Sequence, residues 1–286
     1  MPRPDVENAR NFIFCNARLL ERHLFSFHFE AGSAEIVERA LNAYRHQNGL
    51  FGFGLEPDKR ASEPQPVDQA FAMEILDAIG ANKSGFLSVC NALNELANED
   101  GGLPFSHPTV ETAPHAPWWG CEETQSSSIN PTGIILSFLW KNGLCHPWMR
   151  RAEEFCWEAL NRLDVASPHS IQNALAFLST HPDKQRADAA LSELGDLVRD
   201  STCFDTDAEG YVFSPLVFAP SPNSPGASFF TYEEIRPHLQ FMIDQQQQDG
   251  GWPINWPPIS DGVHSECRGI VTLRNLNILK CYKRLG

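Results

Sequence analysis

Gln245-Gln246-Gln247-Gln248-Asp249-Gly250-Gly251-Trp252 reads as the end of one helix and the turn into the next. Glycine supplies the left-handed residue that stops a helix, and an aromatic after it packs back over the last turn. Asp249 can hold such a turn through its own backbone. Weaker versions stand at Gln47-Asn48-Gly49-Leu50-Phe51-Gly52, Glu99-Asp100-Gly101-Gly102-Leu103-Pro104 and Asp207-Ala208-Glu209-Gly210-Tyr211. Recurrence of one turn along a chain is the mark of a repeat architecture.

The segments between the turns are of two kinds. Val37, Ala40, Leu41 and Tyr44 share a helical face opposite charge, as do Phe86 to Leu96, Ala152 to Leu163, Ala187 to Val198 and Ile235 to Ile243. These predict helices with one wet face. Ala70 to Leu76, Gly133 to Trp140 and Ala174 to Leu178 are apolar almost all round, the composition of helices buried on every side. Phe12 to Leu20 and Ile270 to Leu279 are of this type, and a sixth candidate near Pro215–Pro220 is cut short by its prolines. Buried and wet-faced helices alternate, which predicts two concentric layers. The expected fold is all-α, a single α/α toroid of about 11–12 helices spanning residues 1–286 with no internal linker.

Composition narrows the partners. Lys and Arg number 22 against 36 Asp and Glu, a net charge of −14, so nucleic acid and anionic membrane surfaces are repelled. No apolar run reaches the length of a membrane span. The start, Met1-Pro2-Arg3-Pro4-Asp5, has no signal-peptide pattern, and a cytoplasmic protein is expected. Eight cysteines lack disulfide or Cys-x-x-Cys spacing, so reduced thiols are expected, with Cys15, Cys90 and Cys156 in the core. No Gly-x-Gly-x-x-Gly, P-loop or Gly-x-Ser-x-Gly string is present. No cofactor and no metal are expected.

The Gln-to-Trp stretch at 245–252 resembles the repeated Gln/Trp motif of the squalene-hopene and oxidosqualene cyclases. These belong to the terpenoid cyclase and protein prenyltransferase superfamily of α/α toroids. The resemblance implies a deep apolar cavity that receives isoprenoid chains. The cyclases protonate an alkene with an Asp-x-Asp-Asp acid, and the nearest string here is Asp205-Thr206-Asp207-Ala208, which lacks the last Asp. The prenyltransferases hold zinc through Asp, Cys and His. His264, Glu266 and Cys267 stand close together here without the Asp-x-Cys helix, so Cys267 reads as packing. The Asp-Asp-x-x-Asp string of ionising terpene synthases is missing.

Site residues are sought in four long loops, Leu50 to Pro66, Leu103 to Asn130, Tyr211 to Thr231 and Trp252 to Ser265, since long loops at one end of a helical scaffold carry function. Ala113 to Glu123 gathers His115, Trp118, Trp119 and Glu122. The tryptophans either cap a cavity, where their faces would stabilise a cation, or plug its mouth. Asp68 opens a buried helix and is either a general acid or a carboxylate favoured by the helix dipole. Catalytic candidates are therefore Asp68, Glu122, Asp207 and His115, with Asp58 a further carboxylate near the mouth. Trp118, Trp119, Phe53, Phe213, Trp256, Glu266 and Arg268 are candidates to line the substrate site, Glu266 and Arg268 as an expected pair.

The function these readings lead to is proton-initiated cyclisation of a small hydrophobic isoprenoid substrate. Two alternatives stay open. A carbohydrate-active α/α barrel would place paired carboxylates in an aromatic groove, and a non-catalytic isoprenoid-binding protein would keep the cavity without the chemistry.

Overall fold

The computed structural model describes residues 3–120 and 125–285. Among them the fold is all-α. In chain order the helices are α1 (Val6–Asn16), α2 (Leu19–Phe29), α3 (Ala34–Leu41), α4 (Pro66–Ala78), α5 (Lys83–Ala92), α6 (Ile129–Lys141), α7 (Pro147–Ala159), α8 (Pro168–Thr180), α9 (Lys184–Glu193), α10 (Gly195–Asp200), α11 (Pro215–Phe218), α12 (Tyr232–Asp244) and α13 (Asp261–Cys281). One two-residue antiparallel pairing, β1 (Leu103–Pro104) with β2 (Ser127–Ser128), puts Leu103 opposite Ser128.

The chain divides into two compact units, residues 41–197 and the remainder from both ends of the chain. In the central unit α6 is the hub, packed against α4, α7 and α8. Its approach to α8 needs Gly133, because a Cβ there would stand 2.8 Å from the backbone oxygen of Asn173. Ile135, Leu136 and Leu139 are fully buried, as the apolar run predicts. In the other unit α13 packs against α1 and α2, and Val271, Leu276 and Leu279 are buried. Local chemistry sets the helix starts: proline occupies the first turn of α4, α7 and α8, where its missing N–H costs nothing. Thr231 and Glu234 form a reciprocal capping box on α12.

The repeat is visible bond by bond in three of the turns. Backbone N–H groups of His46, Asn98 and Gln247 donate to the carbonyls of Leu50, Gly102 and Gly251 at 2.8–2.9 Å. Gly49, Gly101 and Gly250 all have positive φ, 98°, 85° and 90°. The next backbone N–H is captured each time by a buried side chain of the following helix: Phe51 by Gln69 of α4, Leu103 by Thr132 of α6, Trp252 by Thr272 of α13, at 2.8–3.0 Å. The glycine then presses on a further helix. A Cβ at Gly49 would lie 2.5 Å from Ser88 of α5, at Gly101 2.5 Å from Arg151 of α7, and at Gly250 2.1 Å from Asn8 of α1. In this register α1 stands to α13 as α5 does to α4 and α7 to α6.

Some expectations need correction. Phe12 to Leu20 is not one buried helix. Ala17 is extended and separates α1 from α2, and α1 takes the place of a wet-faced helix. Cys15 is accordingly exposed, whereas Cys90 and Cys156 are buried. The fourth turn keeps Gly210 at φ 88°, but nothing packs within 4 Å of the position of its Cβ, and its closing bond runs from Cys203 to Phe213.

Candidate functional site

A group of buried polar side chains gathers in the central unit, where the loop from Leu50 to Pro66 meets the one from Leu103 onward. Backbone bonds lock the two loops together. Arg60 N–H donates to Pro114 O at 2.9 Å and Ala116 N–H to Asp58 O at 2.8 Å, with Lys59 and His115 forming an isolated bridge. Gln65 of the first loop strengthens the join, accepting from His107 N–H at 2.8 Å and donating to Thr109 Oγ1 at 2.9 Å. Gln69, on α4, donates to Phe51 O and Gln65 O. Both glutamine side chains are buried, so they act as spare backbone for a loop that has no strand partner.

Inside this frame lie Asp58, Lys59, Asp68 and Trp119. Asp68 is 1 % exposed, as the acid reading requires, but its Oδ1 accepts the Lys59 ammonium and, at 3.0 Å, the N–H of Glu56. It is closed in an ion pair and holds the loop to the helix. Asp58 is 5 % exposed. Its Oδ1 accepts the indole N–H of Trp119. Burial pushes the Asp58 carboxyl above the usual carboxylate range, against the lowering effects of that indole and of the Lys59 charge. Trp119 is buried and stacks on Phe105, with ring centroids 4.8 Å apart and planes 9° from parallel. Trp118 is 41 % exposed. Of the two tryptophans, one is therefore wedged into the loop and the other faces outward. His115 Nδ1–H donates to Ala113 O at 2.9 Å, while Nε2 faces Glu111 at 3.6 Å.

The other candidates fall elsewhere. Phe53 belongs to the central unit, 49 % exposed and stacked flat on His46 at 4.1 Å. Its φ of 54° is a conformation few non-glycine residues hold. Glu122 lies outside the described residues. Asp207 is exposed, in a turn where its N–H bonds Asp205. Phe213 and Trp256, both half-buried, sit edge-on to Tyr211 at 5.3 and 6.0 Å. Glu266 is half-buried on α13, and two residues on stands Arg268. Its guanidinium forks onto Asp249 with two 2.8 Å bonds, donates to Trp252 O and covers the Phe12 ring at 4.4 Å. That makes it a brace for the 245–252 turn. Cys267 is buried. Among the described residues no three His, Cys, Asp or Glu side chains converge as a metal site would require.

Lys59, Gln65, Gln69 and Phe105 escaped the sequence reading. Lys59 carried one signal: with Arg60 it supplies the cations of the loop from Leu50 to Pro66, and a carboxylate opening a buried helix needs one nearby.

No model of a known protein family and no curated protein matches this chain.

Proposed function

We propose that the chain is a terpenoid-processing enzyme that protonates an isoprenoid substrate, with Asp58 rather than Asp68 as the acid. The observation that carries this reading is the Asp58 carboxyl, buried, raised above its usual range and held by the Trp119 indole N–H. A general acid has to keep its proton at neutral pH and be aimed by its neighbours. Burial moves Asp58 in that direction and the Trp119 indole aims it, and the ion pair with Lys59 takes Asp68 out of the role. Trp118 leads outward from the acid and offers a face that would stabilise a developing carbocation. The carbohydrate reading asks for two available carboxylates across a groove, and Asp68 is not one.

The α/α toroid is the scaffold this proposal assumes. It draws support from the register of the turns, in which α1 occupies the place of the helix that would follow α13 in a closed repeat. No helix among the described residues is long and apolar enough to cross a membrane.

Incubating the full chain with farnesyl and geranylgeranyl diphosphates and with squalene tests the proposal. Cyclised or rearranged products are expected by gas chromatography and mass spectrometry. Asp58→Asn should lower their rate of formation about 10²–10⁴-fold, the usual contribution of a positioned acid. No product from any of the three substrates, or full activity in Asp58→Asn, would overturn it.

A further inference from the structure

Lys59 presents an accounting problem that its ion pair does not solve. The side chain is 1 % exposed, and an ammonium has three N–H bonds to place. Among the described residues it meets one acceptor, Asp68 Oδ1, and the face of Trp119, whose centroid is 5.4 Å from Nζ. A buried charge pair with so few partners is expensive, because the desolvation of both ions is repaid only when the remaining protons and lone pairs are satisfied. An amide suits such a site better, with one N–H in place of three and a carbonyl oxygen where Glu56 N–H already donates at 3.0 Å.

We propose that Lys59 and Asp68 join in an intramolecular isopeptide bond, formed by the folded chain itself. The Lys59 Nζ lone pair attacks Cγ of Asp68, a C–N bond forms, one carboxyl oxygen departs as water with two protons drawn from the amine and the acid, and no electrons are gained or lost. The step needs a proton carrier near the amine. Asp58 fits that place: its carboxyl is bonded to the N–H of the same indole whose face Lys59 covers, and burial keeps it more easily protonated than an ordinary aspartate. Exclusion of water then holds the product against hydrolysis. The bond would staple the Leu50–Pro66 loop to the first turn of α4. It is independent of any isoprenoid chemistry, since it consumes no substrate.

Intact-mass measurement of the purified, denatured full chain tests this directly. The expected mass is lower than that calculated from the sequence by one water, and tandem spectra of digested protein should place the loss in a branched peptide joining Lys59 to Asp68. Asp68→Ala and Lys59→Arg should both show their full calculated masses. Asp58→Asn, sampled from the first hours after synthesis, should gain the cross-link more slowly than the wild type. A wild-type mass equal to the calculated one, or a water loss mapping elsewhere, overturns the bond. A cross-link accumulating at the wild-type rate in Asp58→Asn overturns the role of Asp58. None of these readings depends on whether a variant is stable, because the wild-type mass decides alone, or on whether the terpenoid assays succeed.

Discussion

Asp58 and Asp68 are both nearly removed from water, yet their surroundings divide their roles. Asp68 faces a cation, whereas Asp58 accepts the Trp119 indole N–H and its dominant influence is the loss of water. A pH dependence follows. Because the folded state raises the Asp58 pKa, the carboxyl keeps its proton in the fold at pH values where the unfolded chain, near its ordinary value of about 3.9, has lost it. Its contribution is therefore complete below the unfolded value and declines as pH rises through the folded one. Asparagine can still accept from Trp119 but does not titrate. The stability of the wild type relative to Asp58→Asn should be greatest near pH 4 and shrink towards pH 7 in urea unfolding. A difference constant with pH would show that Asp58 has no raised pKa. The carboxylates were readable as candidates from loop position alone, but their assignment was not. The deciding partner, Lys59, belongs to the residue type least often buried, and nothing in the pattern around Pro57-Asp58-Lys59 marks it as internal.

The helices and their turns were far more legible, because periodicity reports burial directly. Ala70–Leu76 and Gly133–Trp140 predicted buried helices, and α6 is that, while α4 keeps Glu74 exposed. The glycine turns predicted a repeat, and three of them share their hydrogen bonds. The helix that failed, Phe12 to Leu20, did so because one aromatic-rich run spans two helices whose break at Ala17 carries no glycine or proline. The turns can be probed singly. Thr132 and Thr272 each give a buried turn N–H its acceptor, and valine keeps the shape while removing the oxygen. Thr132→Val and Thr272→Val should each cost about 1–3 kcal/mol, the penalty of an unsatisfied buried donor, measured by denaturant unfolding. Gly250→Ala and Gly210→Ala form a matched pair at nearly the same φ. Gly210→Ala carries only the backbone cost of about 1 kcal/mol. Gly250→Ala adds a collision with Asn8 O at 2.1 Å and should lose at least about 2 kcal/mol. Equal losses in the two variants would mean that close packing on α1 does not matter.

At the scale of the whole chain, the sequence showed an all-α repeat but not how its ends are used. The Gln245–Trp252 turn is tied to the start of the chain by bonds that span more than 200 residues of sequence: Asp5 N–H donates to Gln246 Oε1 at 2.7 Å, Gln246 Nε2 to Asp5 O at 2.8 Å, and Asn8 Nδ2 to Gln248 O at 2.9 Å. Arg268 lays its guanidinium over Phe12 and forks onto Asp249, so one side chain of α13 links α1 to the turn. The glutamines that suggest a family motif thus serve to dock α1, and no helix propensity or charge pattern could have disclosed a partner so distant in sequence. Deleting residues 1–16 would strip this cover and expose the apolar side of α13, including Val271, Leu276 and Leu279. Hydrogen exchange read by mass spectrometry should then show amide protection collapsing across Asp261–Cys281, since exchange follows the stability of the local cooperative unit. Protection in Ile129–Lys141, at the hub of the central unit, should fall much less. If α13 stayed as protected without α1 as with it, the docking of α1 through the glutamine turn would have no energetic weight, and the equivalence of α1 with α5 and α7 would be geometric only.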